Sequence, residues 1–190
     1  MTRLVLASAS PRRSQLLHDA GYEFEVDPAD VDETPLPAEP AADYVERLAR
    51  AKAELVAARH PGATALGADT VVVLDGELLG KPADDADAIA VLERLSGRGH
   101  EVLTGVAVCR DGMTTSAVDT TEVRFRTLDR AEIEAYVRTG EPRDKAGSYA
   151  IQGGAGAFVA ATNGAFDNVV GLPVALVRRL LEQAGVSERS

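Results

Sequence analysis

Apolar and polar residues alternate in blocks along the chain, and the blocks change period. Leu4-Val-Leu-Ala7 is a short apolar run that reads as a strand over 3–8, and 11–20 follows as a helix stopped by Gly21. A second strand is expected at 22–27. Asp27 to Pro40 is rich in Pro and acid and reads as a loop long enough to carry function. A helix is predicted over 41–59, closed by His60-Pro61-Gly62, then a strand at 64–74 and a short one at 77–79 across Asp75-Gly76. Residues 84–96 predict a helix ending at Gly97. Strands at 101–110 and 113–127 are joined by Asp111-Gly112, and a helix over 129–139 is stopped by Gly140. Residues 147–170 are small and Gly-rich, with short strands expected at 148–151 and 157–161. A last helix runs from near Leu172-Pro173 to about Ala184, and 185–190 reads as a frayed tail. Alternating strands and helices broken by two hairpins predict a mixed α/β sheet with flanking helices. The length, 190 residues, suits a single domain over 1–190, with room for two lobes.

Several polar residues interrupt these patterns. Where the first strand meets the first helix, Ser8-Ala-Ser10-Pro-Arg12-Arg13 offers an N-cap serine, a proline suited to the first helical position and two guanidinium groups. Free amides and the positive end of the helix dipole gather there, a natural receptor for phosphate. In the helix over 41–59, Ala41, Tyr44, Val45, Leu48, Leu55 and Val56 form one apolar face, with Lys52 near its centre. Such a lysine either meets an anion or escapes along its own stem, and the pattern leaves both open. Asp69 interrupts the strand Ala65-Leu-Gly-Ala-Asp-Thr-Val-Val-Val-Leu74. A buried carboxylate needs a cation, a metal or water, although an Asp capping a local turn fits the same pattern. Gly80-Lys81-Pro82 reads equally as an exposed turn lysine. The stretch Asp144 to Gly154 adds opposite charges, a glycine cluster and the carboxamide of Gln152. Cations for phosphates, carboxylates for Mg²⁺ or for activating water, and an amide for a base edge together suggest phosphoanhydride hydrolysis. Neither a Gly-x-Ser-x-Gly elbow nor a P-loop is present.

Composition narrows the classes. Net charge is −10, which opposes a role in coating nucleic acid or an acidic membrane but leaves room for a local basic pocket. One cysteine, Cys109, excludes an internal disulfide, and the three histidines lack metal-ligand spacing. The N-terminal apolar run is short for a signal peptide and nothing approaches transmembrane length, so no membrane contact and a cytoplasmic location are expected.

These blocks, in order, resemble the Maf family of nucleoside triphosphate pyrophosphatases. The resemblance is carried by Leu6-Ala-Ser8-Ala-Ser10-Pro-Arg12-Arg13, Arg50-Ala-Lys52-Ala, Gly67-Ala-Asp69-Thr70-Val-Val and Gly80-Lys81-Pro82. Further along it is carried by Leu95-Ser-Gly97, Thr104-Gly-Val, Asp144-Lys145-Ala-Gly147-Ser-Tyr149-Ala-Ile-Gln152-Gly153 and Asn168-Val-Val-Gly-Leu-Pro173. Phe166-Asp167-Asn168 departs slightly from the usual wording. The resemblance implies a two-lobed mixed α/β fold related to inosine triphosphate pyrophosphatases. It implies hydrolysis of a nucleoside triphosphate to monophosphate and pyrophosphate with a divalent cation, Mg²⁺ or Mn²⁺. It makes Asp69 the catalytic acidic residue and proton acceptor, and places Ser8, Arg13, Lys52 and Lys81 on phosphates. Asp69 with Glu33 would serve the metal. Arg12, Thr70 and Gln152 correspond to specificity positions and look like the branch acting on dTTP, UTP and modified uridine triphosphates. The alternatives are a 7-methyl-GTP or other modified-purine substrate, or a septum-formation inhibitor acting by binding. A homodimer is a further expectation, since members of the family often pair.

Overall fold

The strand β1 (Leu4–Leu6) lies parallel to β2 (Glu25–Val26) on one side and to β3 (Thr64–Leu74) on the other. This computed structural model describes residues 3–188. Beyond β3 the sheet continues through β4 (Glu77–Leu79), β5 (Gly99–Arg110), β6 (Met113–Phe125) and β7 (Val159–Asn163), in the order β2-β1-β3-β5-β6-β7 with β4 on β3. β3 and β4 pair antiparallel, as do β6 and β7, so the sheet is mixed as the two hairpins predict. At both hairpins an Asp-Gly pair sits at positive φ, 53° and 81° for Asp75-Gly76 and 49° and 78° for Asp111-Gly112. That is the type I′ turn, whose twist matches the strands it joins. The helices are α1 (Pro11–Asp19), α2 (Ala41–Arg59), α3 (Asp85–Leu95), α4 (Arg130–Val137), α5 (Phe166–Val170) and α6 (Val174–Gln183).

The chain divides into two compact units. The first holds the described residues up to Asp69, Thr104–Asp119 and those from Gly171 on; the second holds Thr70–Leu103 and Thr120–Val170. In the first unit, period-2 alternation sorts the strands between two faces. Leu4, Leu6, Leu66 and Ala68 join Leu17, Leu176, Val177 and Leu181 in a core with α1 and α6. Val5, Ala7 and Ala65 turn the other way, onto Val56 of α2. Ala49 and Ala53 of α2 pack with Ala107 and Cys109 of β5. The buried stripe of α2 is thus Val45, Leu48, Ala49, Lys52, Ala53 and Val56, with Leu55 only half-buried. Small residues carry this contact because the helix lies almost on the strands. A Cβ on Gly67 of β3 would collide with the Ala49 carbonyl and sit 2.7 Å from Ala53 N, and one on Gly105 of β5 would strike the Val45 carbonyl.

In the second unit, α3 is capped by Asp84, whose side chain accepts from Asp87 N–H, and α4 by Asp129, which accepts from Glu132 N–H. An aromatic group fills its interior. Phe125 meets His100 edge-on at 5.0 Å and Tyr149 at 4.9 Å, and Tyr136 meets Phe158 at 5.1 Å. His100 Nε2 lies 2.8 Å from the Tyr149 hydroxyl.

Four local expectations are corrected. The strand expected at 148–151 does not form, because Gly147 and Ser148 stand at φ 67° and 61°, outside the β region; a 3₁₀ turn, Ala146–Ser148, replaces it. The strand expected at 157–161 is moved to Val159–Asn163 by a 3₁₀ segment over Gly154–Phe158. The strand expected over 22–27 shrinks to two residues, and the short α5 is additional. Where a frayed tail is expected over 185–190, Gly185 at φ 72° and Val186 close α6, with Val186 N–H on the Leu181 carbonyl and its side chain in the core. Residues 189 and 190 lie outside the described residues.

Two predictions follow from this packing. Gly67→Ala should destabilise the protein by about 1–3 kcal/mol, the usual cost of forcing volume into a packed interface, read as a lowered thermal midpoint. Burial pushes the His100 imidazole down to about 4, below its ordinary 6.5. Its neutral form is favoured in the fold, so the stability it permits is complete above pH 6.5 and is lost as pH falls towards 4. The loss should approach about 3 kcal/mol. Urea unfolding at pH 7 and pH 4.5 should show a steeper decline in the wild type than in His100→Gln, which does not titrate.

Candidate functional site

Lys52 is the centre of the site. α2 presses it towards the sheet, where an apolar stripe would bury it without a partner, and it is buried. Its Nζ donates to Asp69 Oδ1 at 2.7 Å and to Glu33 Oε1 at 2.6 Å. Asp69 is buried and faces α2 because it stands two residues beyond Gly67, on the same side of β3. Of the two readings left open for Lys52, the anion partner is the one observed. For Asp69 it is the cation. Glu33 arrives from the loop between β2 and α2, and its side chain stays half-exposed.

The joint between β1 and α1 forms the second part. Ser10 caps α1, accepting from Arg13 N–H at 3.4 Å. The buried Ser8 hydroxyl accepts from Ser10 N–H at 3.2 Å and from Arg13 Nη1 at 3.3 Å. Arg13 Nε donates to the Gly171 carbonyl at 2.8 Å, which fixes the plane of the guanidinium. Burial draws the Arg13 guanidinium below the ordinary arginine value, while the charges of Asp69 and Glu33 work against that shift and Arg12 adds to it. An arginine so displaced is still a cation at any working pH. Arg13 therefore shares one electrostatic environment with Asp69 and Glu33. Arg12 lies beside it in the first turn of α1, half-buried.

The first unit thus brings together Ser8, Arg12, Arg13, Glu33, Lys52 and Asp69. The other expected residues belong to the second unit. Thr70 is the residue after Asp69 on β3, Lys81 is exposed just past β4, and Gln152 is exposed in the turn before the 3₁₀ segment Gly154–Phe158. Within that unit the Gly147 N–H donates to the Gly80 carbonyl at 3.0 Å, so the glycine-rich stretch braces the residue just before Lys81. Lys145 is paired with Asp144.

Two carboxylates with oxygens on one ammonium make a donor set that also suits a hard cation. Mg²⁺ uses one or two carboxylates and takes its other ligands from phosphates and water. Among the described residues no three His, Cys, Asp or Glu side chains group as a closed metal cage. The Asp69 and Glu33 carboxylates are of the kind such a cation takes beside phosphate and water. Among the described residues no helix is long and apolar enough to cross a membrane.

The sequence pattern did not single out Tyr44, Arg47 and Glu39. Arg47 grips the Glu39 carboxylate at 2.6 and 2.7 Å, and the Tyr44 hydroxyl donates to the Glu33 carbonyl at 2.9 Å. The available signal was a phenol in the apolar face of a helix, since a half-buried tyrosine hydroxyl needs a partner.

Residues 3–184 match the family model described as Maf-like protein. A dTTP/UTP pyrophosphatase of Anaeromyxobacter dehalogenans (strain 2CP-C) is 56% identical over 187 residues, covering 96% of this chain and 94% of its own. A dTTP/UTP pyrophosphatase of Symbiobacterium thermophilum is 53% identical over 185 residues, covering 97% and 95%. Among solved structures, the Staphylococcus aureus Ham1 protein is similar over 65% of this chain and 72% of its own, at 18% identity and a TM-score of 0.49.

The buried pair generates a stability prediction. Lys52→Met leaves Asp69 without its cation and should cost about 3–5 kcal/mol in denaturant unfolding. Adding Asp69→Asn should recover part of that loss, because no uncompensated charge then remains.

Proposed function

The chain belongs to the Maf family, and we propose that it hydrolyses dTTP, UTP and modified uridine triphosphates to the monophosphate and pyrophosphate. The observation that carries this reading is Lys52 held between Asp69 and Glu33 in the same unit as the Ser8–Arg13 joint. It joins the parts that the chemistry requires: cations for a triphosphate, a placed carboxylate, and a second carboxylate that can share a metal. The name dTTP/UTP pyrophosphatase, carried by relatives more than 50% identical over nearly the whole chain, supports the pyrimidine substrate over a purine one and over a pure binding role.

In this reading the triphosphate lies along the start of α1. Ser8 and Arg13 hold phosphate oxygens, and the α1 N-terminus contributes its dipole. Arg13 is held rigidly by Gly171, so little entropy is lost when it engages a phosphate. Lys52 and Lys81 supply further positive charge. Asp69 accepts a proton from the attacking water, whose oxygen bonds to the α-phosphorus as the bond to the β-phosphate oxygen breaks and pyrophosphate leaves. Asp69 and Glu33 would hold a divalent cation, Mg²⁺ or Mn²⁺. When bound, that cation neutralises phosphate oxygens and the charge on the leaving pyrophosphate. Arg12, Thr70 and Gln152 are proposed to choose the base.

Pyrophosphate release over a panel of pyrimidine and purine triphosphates, with Mg²⁺ and Mn²⁺, tests this. Turnover of dTTP and UTP is expected, and Asp69→Asn should reduce it about 100-fold or more, the scale of lost acid–base catalysis. A purine triphosphate as the only substrate, or near wild-type turnover in Asp69→Asn, overturns the reading.

A further inference from the structure

The loop Asp27–Pro40 is tied to α2 at points that the proposed chemistry does not use. The Tyr44 hydroxyl donates to the Glu33 carbonyl at 2.9 Å, and Arg47 Nη2 donates to the Thr34 carbonyl at 3.3 Å. Arg47 also holds Glu39 through two bonds, and Glu39 Oε2 accepts from Leu36 N–H at 2.9 Å. Asp32 closes a local turn by accepting from Thr34 N–H at 2.9 Å. The main chain is therefore fixed at Glu33 and just after it, at Thr34 and Leu36. Arg47 holds the Glu39 carboxyl down to about 2, so this anchor stays charged through the working pH range.

These tethers matter because of what they hold. The Glu33 side chain is half-exposed, and an exposed carboxylate loses rotamer freedom to keep one ion pair. With its backbone fixed, only the side chain remains to be ordered, and the main-chain ordering is met in advance. Tyr44 and Lys52 stand on the same helix, so α2 sets both ends of the contact: Tyr44 positions the Glu33 backbone, and Lys52 receives its carboxylate.

We propose that Tyr44, assisted by the Arg47–Glu39 pair, is a positioning residue that presents the Glu33 carboxylate to Lys52 and, through Lys52, to Asp69. Its kinetic consequence rests on the hydrolytic reading above; its structural consequence does not.

The chain has three lysines, Lys52, Lys81 and Lys145, so the Lys52 ammonium resonance can be assigned by replacing the other two one at a time. Glu33→Gln should shift that resonance, and Tyr44→Phe should move it part of the way in the same direction. Tyr44→Phe should lower kcat/KM for dTTP about three- to tenfold, the scale of one hydrogen bond, and should cost nothing further in a Glu33→Gln background. An unmoved Lys52 resonance in folded Tyr44→Phe, or kinetic losses that multiply in the double variant, overturns the proposal, because tethers that merely stabilise the loop would act independently of Glu33. Arg47→Met is read in the same way and decides the matter if Tyr44→Phe does not fold. A wild type that releases no pyrophosphate from any triphosphate defeats the hydrolytic reading alone, and the resonance still decides this one.

Discussion

The site depends on how closely α2 lies on the strands beneath it. Gly67 on β3 and Gly105 on β5 face backbone atoms of the helix, and any side chain there would hold the helix off. Ala49 and Ala53 complete the contact from the helix side. Because α2 sits this low, Lys52 opens directly onto the strand position two residues past Gly67, which is Asp69. A helix a few ångströms higher would leave a lysine reaching through space that other side chains would fill. The placement of the ion pair is thus a packing result before it is an electrostatic one.

Charge then organises what packing has placed. Two carboxylates share one ammonium, and Arg13 stands in their field while its own contacts to Ser8 and Gly171 keep it in place. A buried pair of this kind adds little net stability, since desolvating both ions offsets most of their attraction. What it provides is a set of cations and carboxylates already stripped of part of their water and fixed in direction. Preorganisation of that sort favours a charged ligand over bulk solvent.

Most of the frame could be read from the chain because each element is punctuated by residues with one local meaning. Asp75-Gly76 and Asp111-Gly112 marked hairpins that formed as expected, and the run ending at His60 gave α2 its observed bounds. Lys52 and Asp69 stood out because each broke an apolar pattern, and the two anomalies explained each other. The stretch after Gly140 resisted, since small residues and glycines fit several conformations and the positive φ of Ser148 has no signal in its own identity. The α2 face is centred on Lys52 as expected, but it takes Ala49 and Ala53 in place of Leu55, because hydrophobicity alone ranks leucine above alanine whereas the low seat of the helix selects small residues. The support around Glu33 was hidden for a different reason: it uses main-chain carbonyls, which every residue carries.

The bond from Arg13 Nε to the Gly171 carbonyl joins α1 to the segment leading into α6, which also supplies Leu172, Leu176, Val177 and Leu181 to the core around α1. During synthesis that carbonyl leaves the ribosome 158 residues after Arg13, and those side chains later still. Until they do, α1 has only the strand side of its core, and its arginine lacks the carbonyl that fixes its plane. A chain broken off before residue 171 therefore carries the site's residues without the contact that fixes Arg13.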